Sequence, residues 1–111
     1  MDDSDVRRAL MHSNRVLMEG QTNRRLLEAL LTEFGSVEKA FVIDWIPEQG
    51  EDIYTVAVPP GTIATVEIPR DESLIVPIIE KIPFDQYRRD SKRMTKEIRR
   101  KLSVVRDLLA Q

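Results

Sequence analysis

Apolar residues recur at helical spacing through the first third of the chain, and this pattern predicts an amino-terminal helical region. The region begins near Ser4, among carboxylates that favour a helix amino terminus, and Gly35 marks its carboxy-terminal stop. Gly20 and Thr22 interrupt the pattern, so either one helix bends there or a second helix begins with Thr22 as its cap. The apolar stripe consists of Val6, Leu10, Leu17, Leu27, Leu31 and Phe34.

After Gly35 the period of the apolar positions changes from about 3.6 to about 2, which predicts β-strands. Residues 39–46 form the first predicted strand, with Phe41, Ile43 and Trp45 on one face. Residues 53–58 and 63–68 repeat the strand pattern. The three segments predict an antiparallel meander.

Two turns are predicted between these strands. Residues 47–52 read as an acidic turn around Gly50. The sequence Pro59-Pro60-Gly61-Thr62 suits a type II turn with Pro60 and Gly61 in its centre.

The last part of the chain combines one ambiguous segment with one clear helix. Residues 73–82 contain Pro77 inside an apolar run, which suits either an edge strand or a short buried helix, and the edge strand is favoured. After Pro83, Asp85 is predicted to cap one long final helix. The apolar stripe of that helix is Tyr87, Met94, Ile98, Leu102, Val105 and Leu109.

Together these elements predict an α+β fold, an antiparallel three- or four-stranded meander flanked by amino-terminal and carboxy-terminal helices. A chain of 111 residues is near the commonest domain size, so residues 1–111 are expected to form a single domain. The composition, 41% hydrophobic and 32% charged, is that of a small soluble domain and offers no membrane-spanning run. With no cysteine and no secretory signal pattern, a cytoplasmic location is expected.

The formal net charge of −2 hides an uneven distribution along the chain. Residues 33–87 carry eleven acidic and three basic side chains, a net of −8, whereas residues 88–111 carry nine basic and three acidic ones, a net of +6. Fields of this kind steer association with charged partners. The sequence therefore favours an interaction protein.

Candidate catalytic groups are few. His12 and Ser13 are adjacent on a predicted helix and point about 100° apart, so they cannot act as base and nucleophile. The four glycines lie too far apart for a nucleotide-binding loop. We predict no enzyme activity, no metal site and no cofactor.

A metal-dependent nuclease-like enzyme is the third and least favoured hypothesis. Asp44 and Glu67 lie on predicted strands, where compact nucleases carry their acids, but Pro69 stands where such enzymes have a lysine. The likeness is one of topology alone.

The favoured function is a small non-catalytic interaction or regulatory protein, in an inhibitor, immunity-type or adaptor role, that binds a basic protein partner. The predicted contact residues are Glu48, Glu51, Asp52 and Tyr54 on an acidic sheet and loop surface. Trp45 shares its predicted strand face with two core residues and is expected to be buried, which leaves Tyr54 as the surface aromatic.

The alternative is a nucleic-acid-associated dimer that uses the basic carboxy-terminal helix. Its candidate phosphate contacts are Arg88, Arg89, Lys92, Arg93, Lys96, Arg99 and Arg100. A homodimer is also expected if the two helical regions expose more apolar surface than one sheet can cover.

Overall fold

A computed structural model describes residues 2–71 and 76–111 and confirms the predicted α+β class, with a four-stranded antiparallel meander between amino-terminal and carboxy-terminal helices. The elements in chain order are α1 Asp3–Met18, α2 Arg24–Phe34, β1 Phe41–Glu48, β2 Glu51–Val58, β3 Thr62–Pro69, β4 Ile78–Pro83, α3 Phe84–Asp90 and α4 Lys96–Leu109. The strands are hydrogen-bonded in the order β1-β2-β3-β4.

The amino-terminal helical region is two helices, which settles the choice left open by Gly20 and Thr22. The Asp2 side chain caps α1 and the Asn23 side chain caps α2, each by accepting a hydrogen bond from a first-turn backbone N–H. The cap of α2 is thus Asn23, one residue beyond the predicted Thr22. Gly35 ends α2 with a positive φ of 80°, as predicted.

The sheet has helices against both faces. One core cluster joins the side chains of α2 to the even-numbered residues of β2 and β3, and we call this side of the sheet the α2 face. The other cluster joins α1, α3 and α4 to Phe41, Ile43, Ala57 and Ile63, and we call that side the α4 face. Two helical layers therefore stabilise one sheet.

A β-bulge in β1 reverses the alternation of side chains along that strand. Phe41 lies opposite Ala57, but the register shifts between Val42 and Asp44, so Trp45 lies opposite Tyr54. Residues directly opposite in an antiparallel pair share a face, and the extra residue therefore moves Trp45 to the α2 face. The prediction that Trp45 shares a face with Phe41 is wrong for this reason.

The first turn is shorter than predicted and the second is of another type. β1 and β2 are joined by Gln49 and Gly50 alone, and Gly50 has a φ of 85° that favours glycine. The type II turn predicted around Gly61 is wrong, because Gly61 lacks the positive φ which that turn requires.

Residues 78–82 belong to the edge strand β4, as favoured from the sequence, while residues 73–75 of that prediction lie outside the described residues. The prediction of a single long final helix is wrong, because α3 ends at Asp90 and α4 begins after Thr95. The Thr95 side chain caps α4 by accepting a hydrogen bond from the backbone N–H of Ile98. Asp85 caps nothing and instead forms an ion pair with Arg106 of α4.

The free edge of β1 is closed by side chains. The backbone N–H of Ala40 donates to Asn14 Oδ1 at 2.8 Å, and that of Val42 donates to Ser13 Oγ at 3.2 Å. Further along, the N–H of Trp45 donates to Asp44 Oδ1 at 3.0 Å, and Pro47 has no N–H. Such devices prevent the pairing of an edge with another strand.

Candidate interaction surface

The strand register arranges five carboxylates on the outer half of the α4 face. Residues directly opposite one another form rows across the sheet, and two rows contain Ile46, Ile53, Glu67 and Ile78, then Asp44, Thr55, Thr65 and Glu80. A third row at the end of the first hairpin places Glu48 opposite Glu51. We call the carboxylates Asp44, Glu48, Glu51, Glu67 and Glu80 the acidic patch.

The core clusters do not extend across this half of the α4 face, although Thr55 in its inner row is only 6% exposed. The adjoining row, which includes Phe41 and Ile63, belongs to the core cluster under α1, α3 and α4. Ile46, Ile53 and Ile78 belong to neither core cluster, and Ile78 is 58% exposed. The acidic patch therefore surrounds apolar side chains that the described helices leave outside the core.

One carboxylate of the patch already holds an arginine. Arg93, from the connection between α3 and α4, places Nε 2.9 Å from Asp44 Oδ2, and only 15% of the Asp44 side chain is exposed. The Asp44 carboxylate raises the pKa of Arg93 by hydrogen bonding and by its charge. The Asp44 carboxylate is therefore paired within the chain.

The other four carboxylates, Glu48, Glu51, Glu67 and Glu80, form no ion pair with the parts of the chain that the structure describes. Glu48 and Glu51 lie directly opposite each other, an arrangement in which like charges destabilise a sheet. Glu48 and Glu51 therefore repel each other in the isolated chain, a repulsion that a cationic group between them would relieve.

The four predicted contact residues separate into two groups. Glu48 and Glu51 lie on the acidic patch, whereas Asp52 lies on the α2 face, where it accepts hydrogen bonds from Arg70 Nη2 at 3.1 Å and from Trp45 Nε1 at 3.1 Å. Asp52 therefore has its charge partner within the chain.

Tyr54 and Trp45 have exchanged the positions expected of them. Tyr54 is only 6% exposed, and burial raises the pKa of its hydroxyl, whereas Trp45 is 55% exposed and stacks on the Tyr54 ring at a centroid distance of 6.4 Å. The prediction that Tyr54 is the surface aromatic is wrong, because Tyr54 packs with Val56 and Val66 in the core cluster under α2.

Glu67 and Glu80 are patch residues that the predicted contact set omits. From the sequence, Glu67 is a candidate only as a catalytic acid, and Glu80 lies in the segment 73–82, which could be strand or helix. Strict alternation along β3 places Glu67 on the same face as Ile63, which is a signal in the sequence. No local sequence signal indicates that the helices leave this face uncovered at Glu67.

The hydrogen bond from Arg70 lowers the pKa of Asp52, and the bond from Trp45 acts in the same direction. A carboxyl group whose pKa is lower in the folded state stabilises the protein above its unfolded pKa of about 3.9 and loses that contribution as the pH falls through the folded value. We expect Asp52→Asn to lower the urea midpoint at pH 7, with the difference from wild type shrinking as the pH falls below the unfolded pKa and through the lower folded one. A difference that stays constant with pH would contradict this origin.

The cations predicted to contact nucleic acid do not form one continuous helical surface, because they are divided between α3, the following connection and α4. Arg93 binds Asp44, Arg89 pairs with Asp90 at 3.3 Å, and Arg100 pairs with Asp3 at 3.5 Å. Four exposed cations have no ion pair with the described part of the chain, namely Arg88, Lys92, Lys96 and Arg99.

A groove of about 840 Å³ lies between α1 and α4, with aliphatic lining from Val6, Leu10 and Val42. The hydroxyl of Ser13 in this groove donates to the Leu10 carbonyl at 2.6 Å and accepts from the Val42 N–H. His12 is exposed, and its Nδ1 lies 3.0 Å from Arg15 Nη2. Neither side chain is placed to activate a nucleophile.

Asp44 and Glu67 belong to β1 and β3, with β2 between them, so their backbones are about 10 Å apart. Residues 2–71 and 76–111 contain no group of three or more acidic or histidine side chains that could hold a metal ion. Within the same ranges, no helix has both the length and the apolar character needed to cross a membrane.

Fold and surface together define a small α+β domain whose sheet carries an acidic, partly apolar patch. The chain matches no protein-family model, no curated protein and no solved structure.

Proposed function

We propose that this protein is a non-catalytic interaction or regulatory protein that binds a basic segment of a protein partner through the acidic patch. The observation that carries the proposal is the group of four carboxylates without an ion pair in the described residues, arranged on one sheet face around isoleucines that lie outside both core clusters. Such a surface would suit an adaptor, an inhibitor or an immunity-type protein.

The contact between Arg93 and Asp44 supports a cationic ligand. It is a charge-assisted hydrogen bond between a guanidinium and a carboxylate of this same face. A partner that supplies lysine or arginine side chains to Glu48, Glu51 and Glu67 would repeat this contact while its apolar side chains cover the isoleucines.

The expected binding is sensitive to salt. Exposed ion pairs contribute about 0.2–1 kcal/mol each, so several are needed for useful affinity, and salt screens all of them. The combined field of the patch also accelerates encounter with a cationic partner.

The test is the binding of an oligolysine of about ten residues to wild type and to Glu48→Lys/Glu51→Lys, measured by fluorescence anisotropy at low and at physiological salt. Reversing two charges should weaken binding by about tenfold or more, because attraction becomes repulsion at two contacts. The matched control is Glu28→Lys/Glu38→Lys, which changes the net charge equally at exposed positions outside the patch.

Equal loss in both double variants would show that only net charge matters, and the assignment to the acidic patch would be wrong. Unchanged binding in Glu48→Lys/Glu51→Lys would also reject it.

Nucleic-acid binding is a second candidate, favoured by four cations around the break between α3 and α4 that form no ion pair within the described residues. Phosphate contacts from Arg88, Lys92, Lys96 and Arg99 would give affinity that falls steeply with salt and depends little on sequence. Loss of mixed-sequence RNA or DNA binding in Arg88→Ala/Lys92→Ala would favour this function. The cytoplasmic location and the homodimer stay predictions.

A further inference from the structure

The two edges of the sheet differ in their free backbone groups. At β4, the N–H of Phe84 donates to the carbonyl of Gly61 at 2.9 Å. Hydrogen-bonded positions alternate along an antiparallel ladder, so Ile82, Glu80 and Ile78 direct their backbone groups to β3. The backbone groups of the alternate residues then point away from the sheet, and these residues are Pro83, Lys81, Ile79 and Pro77.

Two amides are consequently available at this edge. Pro77 and Pro83 have no N–H, whereas Ile79 and Lys81 each present one, and nothing in the described parts of the chain accepts a hydrogen bond from them. At the β1 edge, by contrast, Asn14, Ser13 and Asp44 occupy the corresponding donors.

We propose that the β4 edge binds an extended basic segment of the partner as an added antiparallel strand. This inference rests on the proposed function and names the binding mode. Antiparallel pairing continues the existing sheet and is the more stable arrangement per residue. The added strand would use the amides and carbonyls of Ile79 and Lys81, with the two prolines limiting its length.

The side chains of β4 determine the chemistry of the added strand. Glu80 and Ile78 lie on the α4 face beside Thr65 and Glu67. A lysine or arginine opposite Glu80 would enter the acidic patch and contact its negative field. On the other face, Ile79 lies on the edge of the α2 core cluster, so an apolar residue is expected opposite it.

Charge favours such a partner over a second copy of this chain. Antiparallel pairing of two β4 edges would place both acidic patches on the same side of one continuous sheet, with Glu80 of each copy directly opposite or diagonal to the other in the registers that use Ile79. Like charges at these positions destabilise a strand pair.

The probe is the palindromic peptide Thr-Val-Lys-Val-Lys-Val-Thr, which reads alike in both directions and carries lysines on one face and valines on the other. Amide hydrogen exchange followed by NMR should show rapid exchange at Ile79 and Lys81 in the free protein and protection of both on adding peptide. With the lysines on the Glu80 side, the valine amides point to β4. N-methylation of the valines should therefore weaken binding at least about tenfold, and N-methylation of the lysines should not.

Equal affinity of the two methylated peptides, with Ile79 and Lys81 still exchanging rapidly, would overturn added-strand binding and leave the acidic patch as a purely electrostatic site. Failure of both this peptide and oligolysine to bind would instead reject the proposed function. Protection of the two amides that rises with protein concentration without peptide would overturn the proposal in favour of a second copy.

Discussion

Replacing Leu102 by alanine should lower the free energy of unfolding by about 2–5 kcal/mol, because it removes a large apolar side chain from the core and leaves a cavity. Leu102 is 1% exposed and lies in the cluster that holds α4, α1 and β1 together. A domain of this size has a total stability of about 5–15 kcal/mol, so this loss is a large fraction of it. Chemical denaturation should show a lower midpoint with an unchanged m-value.

Ile78→Ala is the matched comparison, since it also shortens an aliphatic side chain but at a 58% exposed position outside both core clusters. It should cost less than about 1 kcal/mol. Similar losses in the two variants would mean that the outer half of the α4 face is packed as part of the core.

The order and type of the main elements follow from the sequence because the period of the apolar positions distinguishes helices from strands. The final helix shows the limit of that signal. Tyr87, Ile98 and Leu102 all face the core, but on two helices, and periodicity alone does not reveal a break between them. Thr95 three residues before Ile98 was the local sign of a new helix start.

The larger error of the sequence-based prediction is at the bulge in β1, where one additional residue inverts the face of Trp45, from which the exposure of Tyr54 was inferred. Alternation predicts a face only while the ladder is regular. Whether Phe41 and Trp45 share a face depends on how Val42 and Asp44 pair with β2, which is a long-range property.

The division of charge along the chain was only partly preserved in space. Arg93 reaches from the basic segment to Asp44, so some opposite charges cancel within the molecule. The negative charge that remains is confined to one part of one sheet face. Its carboxylates, Glu48, Glu51, Glu67 and Glu80, come from four strands and are brought together only by the strand register. Sequence position could indicate an acidic sheet but not which acids share a face.

Ser13→Ala/Asn14→Ala should lower the free energy of unfolding by about 1–4 kcal/mol. The change leaves the N–H groups of Ala40 and Val42 without acceptors, and each unsatisfied buried group costs about 1–3 kcal/mol. Alanine has a higher helix propensity than serine or asparagine, and this offsets part of the loss in stability. Ala40 is fully buried, so the greater share of the cost should come from Asn14.

Asn14→Asp is the control, because it keeps an oxygen acceptor at the same position and should retain most of the stability. The double variant should also self-associate in light scattering, since it exposes two edge amides at β1 of the kind that Ile79 and Lys81 present at β4. A double variant that stayed monomeric and fully stable would show that Ser13 and Asn14 do not close the β1 edge.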